Sequence, residues 1–250
     1  MKKIILLIFI GLVSTFCFAQ NKNTLESSFY LANDFYKKAQ YSQAIGKYEE
    51  IISQGYASAN LYYNLGNCYF KSDQLSRAIL NFAKAKRLSP RDNDLEANFN
   101  YAKDQVQFKV NQTDFNTFKS RYESIFDKFS LDELTIHLAV ILSLVVLLIC
   151  LRVILKSYPR SLIIGISIFS IIFVLGVSGF INKAKTIGKE AIVLDKEVAV
   201  TFEPRDGSTT HFNIYEGMKV FLLKSKQDWC KIERSDKKIG WIKKETIIIF

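Results

Sequence analysis

Two apolar runs limit what this chain can fold into more than any other feature. Ile136 to Leu155 and Leu162 to Ile181 each hold 20 residues, and six residues separate them. As a helix, such a run spans the bilayer core, which is about 30 Å thick. The first run carries Arg152 near its end, where a long side chain reaches the headgroups; the second carries no charge. Pro159 breaks the helix between them, and Arg152, Lys156 and Arg160 gather there. Positive charge in a short connection places it in the cytoplasm. The expectation is a transmembrane hairpin: spans over 136–155 and 162–181, with a cytoplasmic loop over 156–161. His137 is read as interfacial and Cys150 as a small apolar residue of the first span.

The N-terminus fixes the orientation of that hairpin. Lys2 and Lys3 precede the apolar stretch Ile4 to Val13, and small residues Cys17 and Ala19 follow. These are the parts of a secretory signal peptide over 1–19, with cleavage after Ala19; an uncleaved anchor is the alternative. Either way the next segment is exported. The chain is then expected in the cytoplasmic (inner) membrane with two spans and both soluble domains periplasmic. Lys183, Lys185 and Lys189 run against the charge bias. The net charge of +10 is dispersed: +1 over 20–135, +3 over 152–160 and +4 over 182–250. No focused basic stripe exists, so a nucleic-acid partner is not expected.

Residues 20–110 contain a repeat with a period of 34. Leu31 aligns with Leu65, Ala32 with Gly66, Asn33 with Asn67, Ala44 with Ala78 and Tyr48 with Phe82. The second copy reads Tyr62, Leu65, Gly66, Tyr69, Ala78, Phe82, Ala85 and Pro90, which resembles the tetratricopeptide repeat (TPR). Small Gly66 and Ala78 let two helices approach, Tyr69 and Phe82 fill the gap, and Pro90 closes the unit. Repeats are expected at about 25–58 and 59–92. A capping helix carrying Leu95, Phe99 and Ala102 follows. In such repeats the first helices line a groove that takes an extended peptide. By repeat alignment Asn33, Asn64, Asn67 and Asn98 face that groove, and asparagine amides pair with both groups of a peptide backbone. Asn33 and Asn64 match the asparagines of chaperone-tail-binding repeats. Phe29, Asp94 and Asn98 stand where that clamp carries basic residues, which argues against a carboxylate ligand. The alternative is that these asparagines cap turns or face water. Residues 111–135 read as an amphipathic linker with recurring aromatics from Phe108 to Phe129, lying at the membrane surface or on the repeats.

From Ala191 the pattern changes to short alternating strands rich in β-branched residues. Glu216-Gly217, Trp229-Cys230-Lys231-Ile232 and Gly240-Trp241-Ile242 resemble the bacterial SH3-like domain, expected as an all-β barrel over 188–250. Trp229 and Trp241 are candidates for ligand contact, with a core role for at least one as the alternative. The resemblance implies peptidoglycan peptides or protein contacts as partners.

No CxxC pair, histidine cluster, phosphate-binding glycine loop or carboxylate pair stands out. No catalytic residue, metal site or cofactor is proposed. Cys68 and Cys230 share the exported side, and a disulfide between them is left open. The whole is a multidomain membrane protein: all-α TPR repeats, a two-helix transmembrane hairpin and an all-β SH3-like barrel. That order resembles the BatE-type family of the Bacteroides aerotolerance operons. The resemblance implies a scaffold in an envelope complex for oxidative-stress tolerance. Its implied partners are von Willebrand A-domain membrane proteins and, indirectly, a MoxR-type ATPase. A cell-envelope sensor whose SH3-like domain binds peptidoglycan peptides is the rival reading.

Overall fold

The computed structural model describes residues 25–107, 118–154 and 160–250. The expected signal peptide, most of the inter-span loop, and Phe108 and Phe115 of the linker lie outside the described residues.

Among the described residues the N-terminal part forms five helices: α1 (25–37), α2 (Tyr41–Ser53), α3 (Ala59–Lys71), α4 (Leu75–Leu88) and α5 (Asn93–Asp104). The 34-residue period extends to the backbone. Ala39 and Asp73 both adopt φ 57°, turning the chain between paired helices. Gln40 and Gln74 then begin α2 and α4, and their N–H groups donate to the carbonyls of Phe35 and Tyr69. Ser58 and Asp92, again 34 apart, cap α3 and α5 by accepting from the N–H groups of Leu61 and Leu95. The core holds Tyr48, Leu65, Ile79, Phe82 and Leu95, all essentially inaccessible. A Cβ built on Gly66 would lie 2.7 Å from the Phe82 ring. That contact explains the glycine in the middle of α3, despite its cost to the helix. Arg77, on α4, donates to the Tyr69 hydroxyl, which in turn donates to Glu49 on α2, so one polar chain ties three helices. Burial, with Glu49 beside it, pushes the Tyr69 hydroxyl up to about 12.

Three further helices follow. Helix α6 (Phe118–Asp127) precedes α7 (Leu131–Ile154) and α8 (Arg160–Ala184). Helix α7 starts before its apolar run because Ser130 and Glu133 form a reciprocal capping box, Glu133 N–H to Ser130 Oγ and Ser130 N–H to Glu133 Oε2. Both α7 and α8 are long and apolar enough to cross a membrane, and few of their residues are buried within the protein. Their glycines are used within the chain. A Cβ on Gly176 would lie 2.8 Å from Leu138 of α7, and Gly179 lies against the Phe126 ring of α6. Helix α6 is fastened to α8 by the Tyr122 hydroxyl, which donates to the Leu175 carbonyl at 2.6 Å. Lys183 completes the joint by donating to the carbonyls of Phe126 and Phe129, at 3.0 and 2.6 Å. This cation beyond the second apolar run therefore has a structural task at the end of α6.

Five residues, 185–189, lead to the sheet. Its strands are β1 (Glu190–Val193), β2 (Glu197–Thr201), β3 (Thr210–Tyr215), β4 (Lys219–Lys226), β5 (Trp229–Glu233), β6 (Ile239–Lys243) and β7 (Ile247–Ile249). All pairings are antiparallel, in the order β3-β2-β6-β5-β4-β1-β7. The expected barrel is thus corrected to an open sheet, since the end strands β3 and β7 do not pair. Closure is unnecessary for burial on the β7 side, where Ile248 and Phe250 pack on the helices. The inner face holds Val193, Val200, Ile214, Val220, Ile232 and Ile242.

The sheet docks on α4. Ile192 points out of the sheet core and is 1 % exposed among the helical core residues. Gly217, at φ 78°, brings the turn before β4 so close that a Cβ there would lie 2.7 Å from Ile79. Glu216 accepts from the Ser76 N–H and so caps the start of α4, where the Gln74 side chain makes no capping bond. At the other end of α4, Arg87 meets Glu190 at 2.5 Å and stacks on the Phe250 ring at 4.1 Å; Lys219 takes the other carboxylate oxygen. Arg91, just beyond, pairs with Glu133 at the start of α7.

Burial raises the Glu190 carboxyl, but Lys219 and Arg87 outweigh it and hold the group below its usual 4.5. Docking strength is therefore present above that value and lost as the pH falls below it. We expect the helical and sheet domains to separate below about pH 4.5, read by small-angle scattering of the solubilised full chain. E190Q should weaken docking at neutral pH by roughly 1.5–3 kcal/mol, the worth of charged hydrogen bonds, and remove most of this acid transition. G66A should destabilise the helical domain by about 1–3 kcal/mol through overpacking on Phe82, measured by chemical denaturation.

Candidate functional site: an asparagine-lined groove and a tryptophan face

The first helix of each pair carries the predicted groove residues: Asn33 on α1, Asn64 and Asn67 on α3, Asn98 on α5. They meet as two rungs. Asn64 Nδ2 donates to Asn33 Oδ1 at 3.0 Å, and Asn98 Nδ2 donates to Asn67 Oδ1 at 3.0 Å. The partners in each rung are 31 residues apart, one helical turn short of the repeat, so each rung joins neighbouring helices. Tyrosines brace both. The Tyr48 hydroxyl donates to Asn33 Oδ1 at 2.5 Å, and Asn98 Nδ2 donates to the Tyr63 hydroxyl at 2.8 Å. Burial, helped by the nearby Cys68, raises the Tyr48 hydroxyl far above the phenol range, so it remains a neutral donor. Burial alone pushes the Cys68 thiol up to about 12, so this cysteine is an inert core group.

These bonds occupy the oxygen of Asn33 and one N–H of Asn64. Among the described residues they leave the Asn33 amide N–H groups and the Asn64 oxygen for another partner. Both border a cleft of about 270 Å³, with Asn67, Tyr30, Asp34, Tyr36 and Lys37 on its walls. Asn98 sits outside that cleft, in the second rung. Tyr30 and Tyr101 are exposed large aromatics on the same set of helices, at 64 % and 59 %. Such a surface offers donors and acceptors for a peptide backbone and aromatic walls for its side chains.

Trp229 and Trp241 lie on neighbouring strands β5 and β6. Trp229 is paired with Lys243, and Trp241 with Lys231. Alternation places these four on the face opposite Cys230, Ile232 and Ile242, and both tryptophans are half-buried. Each lysine ammonium lies 5.9 Å from the centroid of its cross-strand indole. The result is a chequered face of aromatic rings and cations. Sequence reasoning missed a second aromatic group: His211 lies between Phe202 and Phe212, at centroid distances of 4.3 and 5.0 Å, with Arg234 over Phe212. The adjacent His211-Phe212 pair beside a turn was its only signal.

Among the described residues no group of three or more histidine, cysteine or acidic side chains is placed to hold a metal. Cys68 and Cys230 are separate buried thiols, so the disulfide left open above is not formed.

Comparison with known families agrees with both halves. The family model described as a tetratricopeptide repeat matches residues 59–92, which form α3 and α4. The model described as a bacterial SH3 domain matches residues 195–248, most of the sheet. A search of curated proteins finds no match. Both domain types are typically non-catalytic interaction modules, and this chain carries a segment similar to each.

Proposed function

We propose that this chain is a non-catalytic scaffold, anchored in the cytoplasmic membrane by α7 and α8, that holds an extended segment of a protein partner in its asparagine-lined groove. The observation that carries the reading is the unspent amide capacity of Asn33 and Asn64 at the mouth of the cleft. The anchor is supported by two long apolar helices, few of whose residues are buried within the protein. The contact between sheet and α4 supports a common side for both soluble domains. A hairpin returns the chain to the side it left, and two domains that touch cannot be divided by a bilayer. With the signal peptide over 1–19, that side is the periplasm. The resemblance to the BatE-type family makes von Willebrand A-domain membrane proteins the partners, a MoxR-type ATPase an indirect one, and oxidative-stress tolerance the process served.

A second reading is favoured by one specific observation. The Trp229, Lys231, Trp241 and Lys243 face belongs to a bacterial SH3 domain, and that family match favours peptidoglycan peptides as its ligand. The face and the groove are separate surfaces, so one chain can serve both.

Crosslinking of the tagged full-length protein in its own membranes, followed by mass spectrometry, tests the scaffold. We expect A-domain membrane proteins in the captured set. The N64A/N67A variant should recover about thirtyfold less of them, from roughly 1 kcal/mol for each of two lost hydrogen bonds. Undiminished capture by that variant sinks the groove. For the second reading, the full-length protein should retain muropeptides and W229A/W241A should not; equal retention removes the tryptophan face from the function.

A further inference from the structure

A chamber of about 1120 Å³ lies where the three parts of the molecule meet. Helices α4 and α5 form one wall and the sheet around Glu190 and Lys219 another, while α6 and the end of α8 close the floor. Its volume is at the upper end for small-molecule sites, which run to about 1,000 Å³. The walls are held by the contacts already described: Arg87 to Glu190, Arg91 to Glu133, and Lys183 to the end of α6.

The lining mixes charge with apolar surface. Six cations face it, Lys86, Arg87, Lys103, Lys183, Lys219 and Arg234, against the carboxylates Asp104, Glu123, Asp127 and Glu190. Glu190 is already taken by Arg87 and Lys219, and Arg234 pairs with Asp236. Lys86 pairs with the exposed Glu96. Lys103 is different. Among the described residues it makes no ion pair, and its ammonium rests 4.7 Å from the centroid of the Phe99 ring. Burial lowers its pKa first, Lys86 lowers it further, and Glu96 and Asp104 offset part of this before Lys219 adds its own repulsion. An ammonium with no ion-pair partner among the described residues, beside two other cations, gains from any anion with several oxygens. Beside these charges stand Phe99, Phe126, Met218 and Phe221, which suit the apolar body of an amphiphile.

The location selects among anions. Asn182, Lys183 and Thr186 lie just past Ile181, where the second apolar run ends. In the membrane-anchored reading proposed above, on which this inference rests, that is headgroup depth. We infer that the chamber binds a phosphate group, presented there by an anionic phospholipid, with Lys86, Lys103 and Lys219 as its cationic partners and Phe99 and Phe221 beside its apolar part. A soluble phosphate is the other source of the same chemistry.

The test uses the full-length protein in a neutral detergent, with phosphatidylglycerol, diacylglycerol and inorganic phosphate as probes and the unfolding midpoint as readout. Phosphatidylglycerol should raise the midpoint and diacylglycerol should not. K86Q/K103Q should weaken the lipid effect at least tenfold with an unchanged circular dichroism spectrum, and K103R, which keeps the charge, should retain it. If inorganic phosphate protects as well as the lipid, the phosphate site stands and its source is soluble. No protection by either probe, or equal protection of K86Q/K103Q, overturns the inference. Alkaline carbonate extraction separates the two readings. Protein that stays with the membranes but ignores lipid keeps the anchor and loses the chamber; protein released by carbonate loses the anchor and the lipid source together.

Discussion

The contact between the sheet and α4 is the constraint on which the arrangement depends. A strand buried on one face needs only its own sheet, yet β1 buries Ala191, Ile192 and Val193 in succession. Its second face is satisfied only by the helical core. The ionic part of the contact follows from that burial. Glu190 enters a low-dielectric seam, where an unpaired carboxylate is costly, and two cations from different domains answer it. One residue of the sheet, Glu216, even completes the hydrogen bonding at the start of α4. The helical domain is two repeats and a cap, close to the lower limit for a stack that buries its own core, and the sheet supplies the missing cover.

What the sequence reveals tracks how local the physics is. The 34-residue period was readable because the same spacing governs packing at Gly66 and Phe82, the left-handed turns at Ala39 and Asp73, and the caps at Ser58 and Asp92. The two apolar helices were readable from hydropathy alone. The asparagines could be assigned to first helices, since a repeat carries its own coordinates. That they would pair as rungs with Tyr48 and Tyr63 was not legible, because the partners lie on other helices.

Contacts between segments stayed hidden for the same reason, though traces existed. The unbroken apolar runs Ala191-Ile192-Val193 and Ile247 to Phe250 depart from alternation, the mark of strands covered on both sides. Ser130-x-x-Glu133 is a helix-start signature inside a segment read as linker. Gly176 and Gly179 give close approach within the chain itself, to Leu138 and Phe126 on other helices, which local sequence does not encode. The openness of the sheet follows from its end strands, a long-range property that short-strand spacing does not encode.

The five residues between α8 and β1 are also a leash. Fully extended, they reach about 17–18 Å. Were the seam on α4 to open, the sheet would swing within that radius of the end of α8 and no farther. A ligand for the tryptophan face must therefore come within that radius of the end of α8, because the domain cannot travel farther to find it. The same short tether keeps the freed sheet at a high local concentration beside α4, so an opened molecule recloses on itself before it exchanges with a neighbour.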